Sequence, residues 1–160
     1  MEKTKTLIAF ASKGGATREA AELIAKVLKE QYSLEVDLFD LKDNTPDLSE
    51  YGNVVIGAGV RVGRIYKKAL KFMDKDFTDK KVALFLSSGE GGDEKGHEEA
   101  IEKYIKNQVL ERVNVEPVAA EVFGGRIKIF GFTVQNNIDT TKIEQWAKAV
   151  GEKFSTSEES

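Results

Sequence analysis

The 160-residue sequence predicts an α/β fold, a three-layer sandwich in which helices cover both faces of a five-stranded parallel sheet of order 2-1-3-4-5. Three observations predict it. Short apolar runs alternate with amphipathic helical stripes, a βαβ rhythm that demands right-handed crossovers and a mostly parallel sheet. The second run alternates apolar and acidic residues, as an edge strand with one wet face does, whereas the third and fourth are almost continuously apolar, as strands covered on both sides are. The chain also has the length of one domain, which buries roughly 70% of the surface its unfolded form exposes and needs no staple.

The first strand is the run Thr6 to Ala11, and Ala20, Leu23, Ile24, Val27 and Leu28 then recur at the spacing of a helix packed on one face. Leu34 to Asp40 is the alternating second strand. Asn53 to Gly59 and Lys81 to Ser87 are the central third and fourth, separated by a helix marked by Tyr66, Ala69, Leu70 and Met73. Ile101, Tyr104 and Ile105 mark the next helix, and Pro117 to Phe123 forms the fifth strand. Ile143, Trp146, Ala147, Val150 and Phe154 mark the last helix, with Trp146 on its core face. The two prolines, Pro46 in a surface loop and Pro117 at a strand start, mark no domain boundary. Residues 1–160 therefore read as one domain, with 155–160 a frayed polar tail.

Composition excludes several functions. With 24 Lys plus Arg against 27 Asp plus Glu, the net charge is -3, and no basic run is long enough to form a nucleic-acid arm. The absence of cysteine removes disulfides, iron–sulfur clusters and catalytic thiols, and the one histidine, His97, sits among Glu94, Glu98 and Glu99 as a solvated helix-start residue. No stretch approaches the apolar length of a transmembrane helix, and the N-terminus lacks a signal-peptide h-region, so a cytoplasmic location is expected.

Order 2-1-3-4-5 brings the loops after strands one, three and four to one rim, at the switch point between strands one and three. The first loop, Ser12, Lys13, Gly14, Gly15, Ala16 and Thr17, joins a buried strand to a helix, so its amides can turn toward an anion that also feels the helix dipole. This is the composition of a phosphate cradle. The second, Val60, Arg61, Val62, Gly63 and Arg64, combines a glycine able to take positive φ with two arginines, a mixture that covers a flat ring and touches its polar edge. The third, Ser87, Ser88, Gly89, Glu90 and Gly91, has so little bulk that its backbone can approach a ligand closely.

Two rivals fail on residue type. A dinucleotide fingerprint needs G-x-G-x-x-G opening the first helix, whereas Gly57, Gly59 and Gly63 are misspaced and follow the third strand. A phospho-accepting receiver domain needs a carboxylate cluster with Mg²⁺, and Ala11-Ser12 and Gly57-Ala58 occupy those places.

The first loop resembles the Thr/Ser-x-Thr-Gly-x-Thr phosphate loop of the flavodoxins: Ser12, Gly15 and Thr17 match, and Gly14 replaces the middle hydroxyl residue. The stretch Val54 to Arg64, with Phe123-Gly124-Gly125-Arg126, is similar to the flavodoxin-domain subfamily that includes menaquinone-dependent protoporphyrinogen oxidases. The resemblance implies a flavodoxin-like sandwich that binds FMN and acts in electron transfer with a redox partner protein. It implies as an alternative an FMN-dependent oxidoreductase acting on a porphyrinogen with a quinone. Ser12 to Thr17 would hold the phosphate, and Val60 to Gly63 with Ser87 to Gly91 would flank the ring. Val62 stands where flavodoxins stack an aromatic, so a more exposed ring is expected. Arg61 near the ring's N1–C2=O edge would favour the reduced anion, and Gly63 would free the preceding carbonyl to turn toward N5. The long basic insertion of those oxidases is shortened here to Ile127–Asn137.

Overall fold

The computed structural model describes residues 5–11, 15–43, 45–61, 63–88, 98–124, 126–129, 132–136 and 140–155. Strand β1 (Lys5–Ala11) leads to helix α1 (Ala16–Tyr32), strand β2 (Val36–Asp40) and the long strand β3 (Tyr51–Arg61). A two-residue strand β4 (Arg64–Ile65) precedes α2 (Lys67–Met73), and β5 (Lys81–Ser88) is followed by a π-wound helix, α3 (Ile101–Val109). Strand β6 (Ala119–Gly124), a hairpin of β7 (Arg126–Ile129) and β8 (Phe132–Asn136), and α4 (Thr140–Ser155) complete the order. The sheet runs β2-β1-β3-β5-β6 with every one of these pairs parallel, which is the expected topology.

Strand alternation sorts the core into two layers. On one face Leu7, Val54, Ile56, Leu84 and Leu86 pack under α2 and α3 through Phe72, Met73, Tyr104 and Ile105. On the other, Ile8, Phe10, Val55, Phe85 and Phe123 pack under α1 and α4 through Ile24, Leu28, Trp146 and Val150. Trp146 sits with ring centroids 5.9 Å from Phe85 and 5.7 Å from Phe123, both edge-on, so it is a packing residue as expected. Gly57 lets the Phe85 ring lie flat across β3, since a Cβ there would stand 2.2 Å from that ring. Gly151 likewise admits the Tyr32 ring of α1, whose hydroxyl donates to the Lys148 carbonyl at 2.9 Å and ties α1 to α4.

Several expectations need correction. Leu34 and Glu35 precede β2 because α1 ends through Ser33 in the left-handed region, and the Leu34 amide still donates to the Leu28 carbonyl. The alternation of β2 does not sort cleanly: Leu38 is 40% exposed, while Asp37 is partly buried and accepts a 2.7 Å bond from the Tyr51 hydroxyl. Pro46 is buried rather than on the surface. Val60 to Arg64 is not a loop: β3 runs on through Val60 and Arg61, turns, and pairs antiparallel with Arg64 and Ile65. Beyond the five expected strands the chain adds β4 and the β7–β8 hairpin.

Candidate functional site

At the rim where β1, β3 and β5 end, the order reverses between β1 and β3, which is where doubly wound sheets hold ligands. Ser12, Lys13 and Gly14 lie outside the described residues, but Gly15, Ala16 and Thr17 open the 17-residue α1. Gly15 caps this helix with φ 89°, a conformation that favours glycine, and a Cβ there would meet nothing within 4 Å. Gly15 gives α1 no side-chain cap, an arrangement that leaves helix-start amides available to an anion. Thr17, the second helical residue, is buried.

Arg18 on the same turn is already engaged. Its guanidinium lies 2.7 Å from the Asp40 carboxylate and 5.0 Å over the Phe10 ring, and Asp40 also accepts from the Lys42 amide at 2.9 Å. Arg18 is thus held against the edge strand, and the described start of α1 offers its backbone dipole and the buried Thr17.

The second segment is a hairpin. Val60 pairs with Ile65 and Arg61 with Arg64, with Gly63 in the turn that joins the two strands. Gly63 has φ 73°, a conformation that favours glycine, while Val62 lies outside the described residues. The Val60 side chain packs down onto the core under α2 and α3. Lys103 of α3, which sequence reasoning did not single out, reaches this turn: its ammonium is 3.6 Å from where a Gly63 Cβ would stand and 5.2 Å from the Tyr104 ring centroid. Its only sequence signal is its place next to a core tyrosine on the helix that follows the third loop.

The third segment begins in β5. Ser87 and Ser88 are buried at its carboxyl end, and Gly89, Glu90 and Gly91 lie outside the described residues, as does His97. Ser87 has the parity of Phe85 and so faces the α1 side. It stands level with Gly59 on β3 and Phe123 on β6. Its neighbour on β3 thus has no side chain, and the Ser87 Oγ is a buried polar atom without a hydrogen-bond partner among the described residues. A buried hydroxyl left unpaired costs about 1–3 kcal/mol, and a serine hydroxyl can both donate and accept, so this atom has hydrogen-bonding capacity to offer a ligand.

The rim contrasts with the opposite end of the sheet, where the perturbed titrations of the described residues fall. There Lys5 lies 3.2 Å from Asp37 and 3.3 Å from Glu50. The Tyr51 hydroxyl donates to Asp37, which holds that carboxyl below its usual range, while burial and then the same bond push Tyr51 up to about 12. Asp76 is held down to about 2 by hydrogen bonds from Thr78 and Asn114. These groups brace loops and lie away from the rim, and no cluster of metal-ligating side chains occurs among the described residues.

Comparison with known proteins agrees with this arrangement. Residues 7–153 match the family model of the flavodoxin domain. Protoporphyrinogen IX dehydrogenase (quinone) of Escherichia coli K12 is 36% identical over 75 residues, which are 46% of this chain and 41% of that protein. The match therefore spans less than half the length of that curated relative. Oxidised flavodoxin 2 from Bacillus cereus superposes with a TM-score of 0.63 at 26% identity, covering 94% of this chain and 100% of that one. Fusobacterium nucleatum flavodoxin bound to flavin mononucleotide superposes with a TM-score of 0.57 at 16% identity, covering 93% and 98%.

Proposed function

The chain belongs to the flavodoxin family, and we propose that it holds one FMN noncovalently at the rim and serves in electron transfer with a redox partner protein. The observation that carries this reading is the Ser87 Oγ, buried and unpartnered on the α1 side of the rim where the open amino terminus of that helix awaits an anion. The residues fit the cofactor's phosphate and ribityl chain. The amides of Lys13 to Thr17 and the hydroxyls of Ser12 and Thr17 hold the monoester, with Ser87 donating from the sheet side. The hairpin at Val60 to Gly63 and the segment Ser88 to Gly91 border the ring, with Arg61 at its polar edge. When bound, FMN supplies the electron-accepting chemistry; the chain's part is to grip, orient and set the local charge.

A second reading, an FMN-dependent oxidoreductase of the protoporphyrinogen oxidase type acting with a quinone, is favoured by the 36% identity to the Escherichia coli dehydrogenase. One experiment tests both. FMN is added to the apoprotein while flavin fluorescence is followed, and the reduced complex is then mixed with menadione, with or without protoporphyrinogen. Stoichiometric quenching supports the first statement. Steady porphyrinogen turnover with menadione selects the enzyme, and oxidation through a protein acceptor alone selects the carrier. Unquenched FMN at saturating protein would overturn both.

A further inference from the structure

Charge is unevenly distributed around the proposed site. The chain as a whole carries -3, yet Arg61 to Met73 contains five Lys or Arg residues and no Asp or Glu. Those whose side chains are described, Arg64, Lys67, Lys68 and Lys71, are all exposed. Helices α1, α3 and α4 mix both signs along their surfaces, as in the Glu102–Lys106 pair of α3. The charged residues of α2 are all lysines. Asp74, just beyond it, is engaged by Arg112 at 2.9 Å and does not offset them. Lys103 extends the same sign from α3 onto the Gly63 turn and meets no carboxylate among the described residues.

This basic face is continuous with the hairpin, because Arg64 follows Gly63 directly and α2 begins three residues later at Lys67. From the placement we infer that β4, α2 and Lys103 form the docking surface for a small acidic redox protein, steering it to the ring edge beside Gly63. The inference rests on the FMN reading for its purpose but not for its test. The charges spread along two turns of helix and onto a neighbouring helix rather than converging on one point, so a protein surface is the better fit. Against a net negative body such a patch both orients an acidic partner and raises its encounter rate, by tenfold or more at low salt. A basic partner would be turned away from this face.

The test maps amide shifts of the full isotope-labelled chain, as purified, on adding zinc-substituted rubredoxin, an acidic carrier that moves no electron in this form. Shifts are expected at Arg64 to Lys71 and at Lys103. Affinity should fall about tenfold when ionic strength is raised past ~0.3 M, where the Debye length shortens to a few ångströms. The combined variant Lys67→Glu, Lys68→Glu, Lys71→Glu, checked for an unchanged melting temperature, should lose the shifts and keep its FMN affinity. Shifts elsewhere, their survival in the charge-reversed variant, or equal displacement by citrate at matched concentration would each overturn the inference. The map reads the surface whether or not flavin is held, so a failure of FMN to bind is seen separately by fluorescence.

Discussion

Ser87→Ala is predicted to move folding stability and cofactor affinity in opposite directions. The Ser87 Oγ is buried with no hydrogen-bond partner among the described residues. Removing it relieves a desolvation penalty of about 1–3 kcal/mol and leaves a gap of one oxygen, so the apoprotein should be unchanged or more stable by up to ~1 kcal/mol, a rise of about 2–4 °C in Tm. On the proposed reading, the same hydroxyl donates to the cofactor when FMN is bound. Losing a bond to a charged oxygen removes about 1.5–3 kcal/mol, which is roughly tenfold to a hundredfold in Kd. Differential scanning calorimetry of the apoprotein and fluorescence titration with FMN read the two arms independently. A variant that melts several degrees lower without cofactor while binding FMN as tightly as before would refute the reasoning, because the hydroxyl would then have a structural partner and no ligand.

Four further outcomes follow from the packing and the titrations. Gly57→Ala must displace the Phe85 ring, whose nearest atom lies 2.2 Å from the new methyl, and should destabilise the apoprotein by about 1–3 kcal/mol in urea denaturation. Gly63→Ala meets space, with only Lys103 Nζ at 3.6 Å, but is forced to φ 73°; it should cost about 1 kcal/mol and shift the midpoint potential of bound FMN measurably. Tyr51 has its folded value raised from 10.0 to about 12, so its contribution is fully present below pH 10 and is lost as pH rises toward 12; Tyr51→Phe should flatten that alkaline limb of stability. Asp76 has its folded value lowered from 3.8 to about 2, so its contribution is present above pH 4 and is lost as pH falls toward 2; Asp76→Ala should flatten the acid limb over that interval.

The sheet order was legible because β3 and β5 are buried on both faces and therefore read as unbroken apolar runs, while the edge strand does not. The positive φ at Gly63 was legible as a glycine placed between a strand and its next element, while that at Gly15 was not read in advance. The hairpin β3–β4 was not, because two residues of strand fall below any detectable period. The β7–β8 hairpin was not read from the sequence either, although Arg126, Ile127, Lys128 and Ile129 alternate before Phe130-Gly131. What a side chain meets across the sheet is beyond a linear pattern: Arg18 finds Asp40 only because β2 pairs with β1, and Lys103 reaches Gly63 only because α3 packs beneath that turn. Nor can a sequence show that one serine of two, Ser87, is buried without a partner.

The central claim is that the amino terminus of α1, with Ser87 opposite, grips a phosphate monoester. Titrating the apoprotein in parallel with FMN and with riboflavin, which lacks only that group, tests it most directly. Stoichiometric binding of FMN with riboflavin at least a hundredfold weaker is the expected result; equal affinity for the two, or none for either, would contradict it.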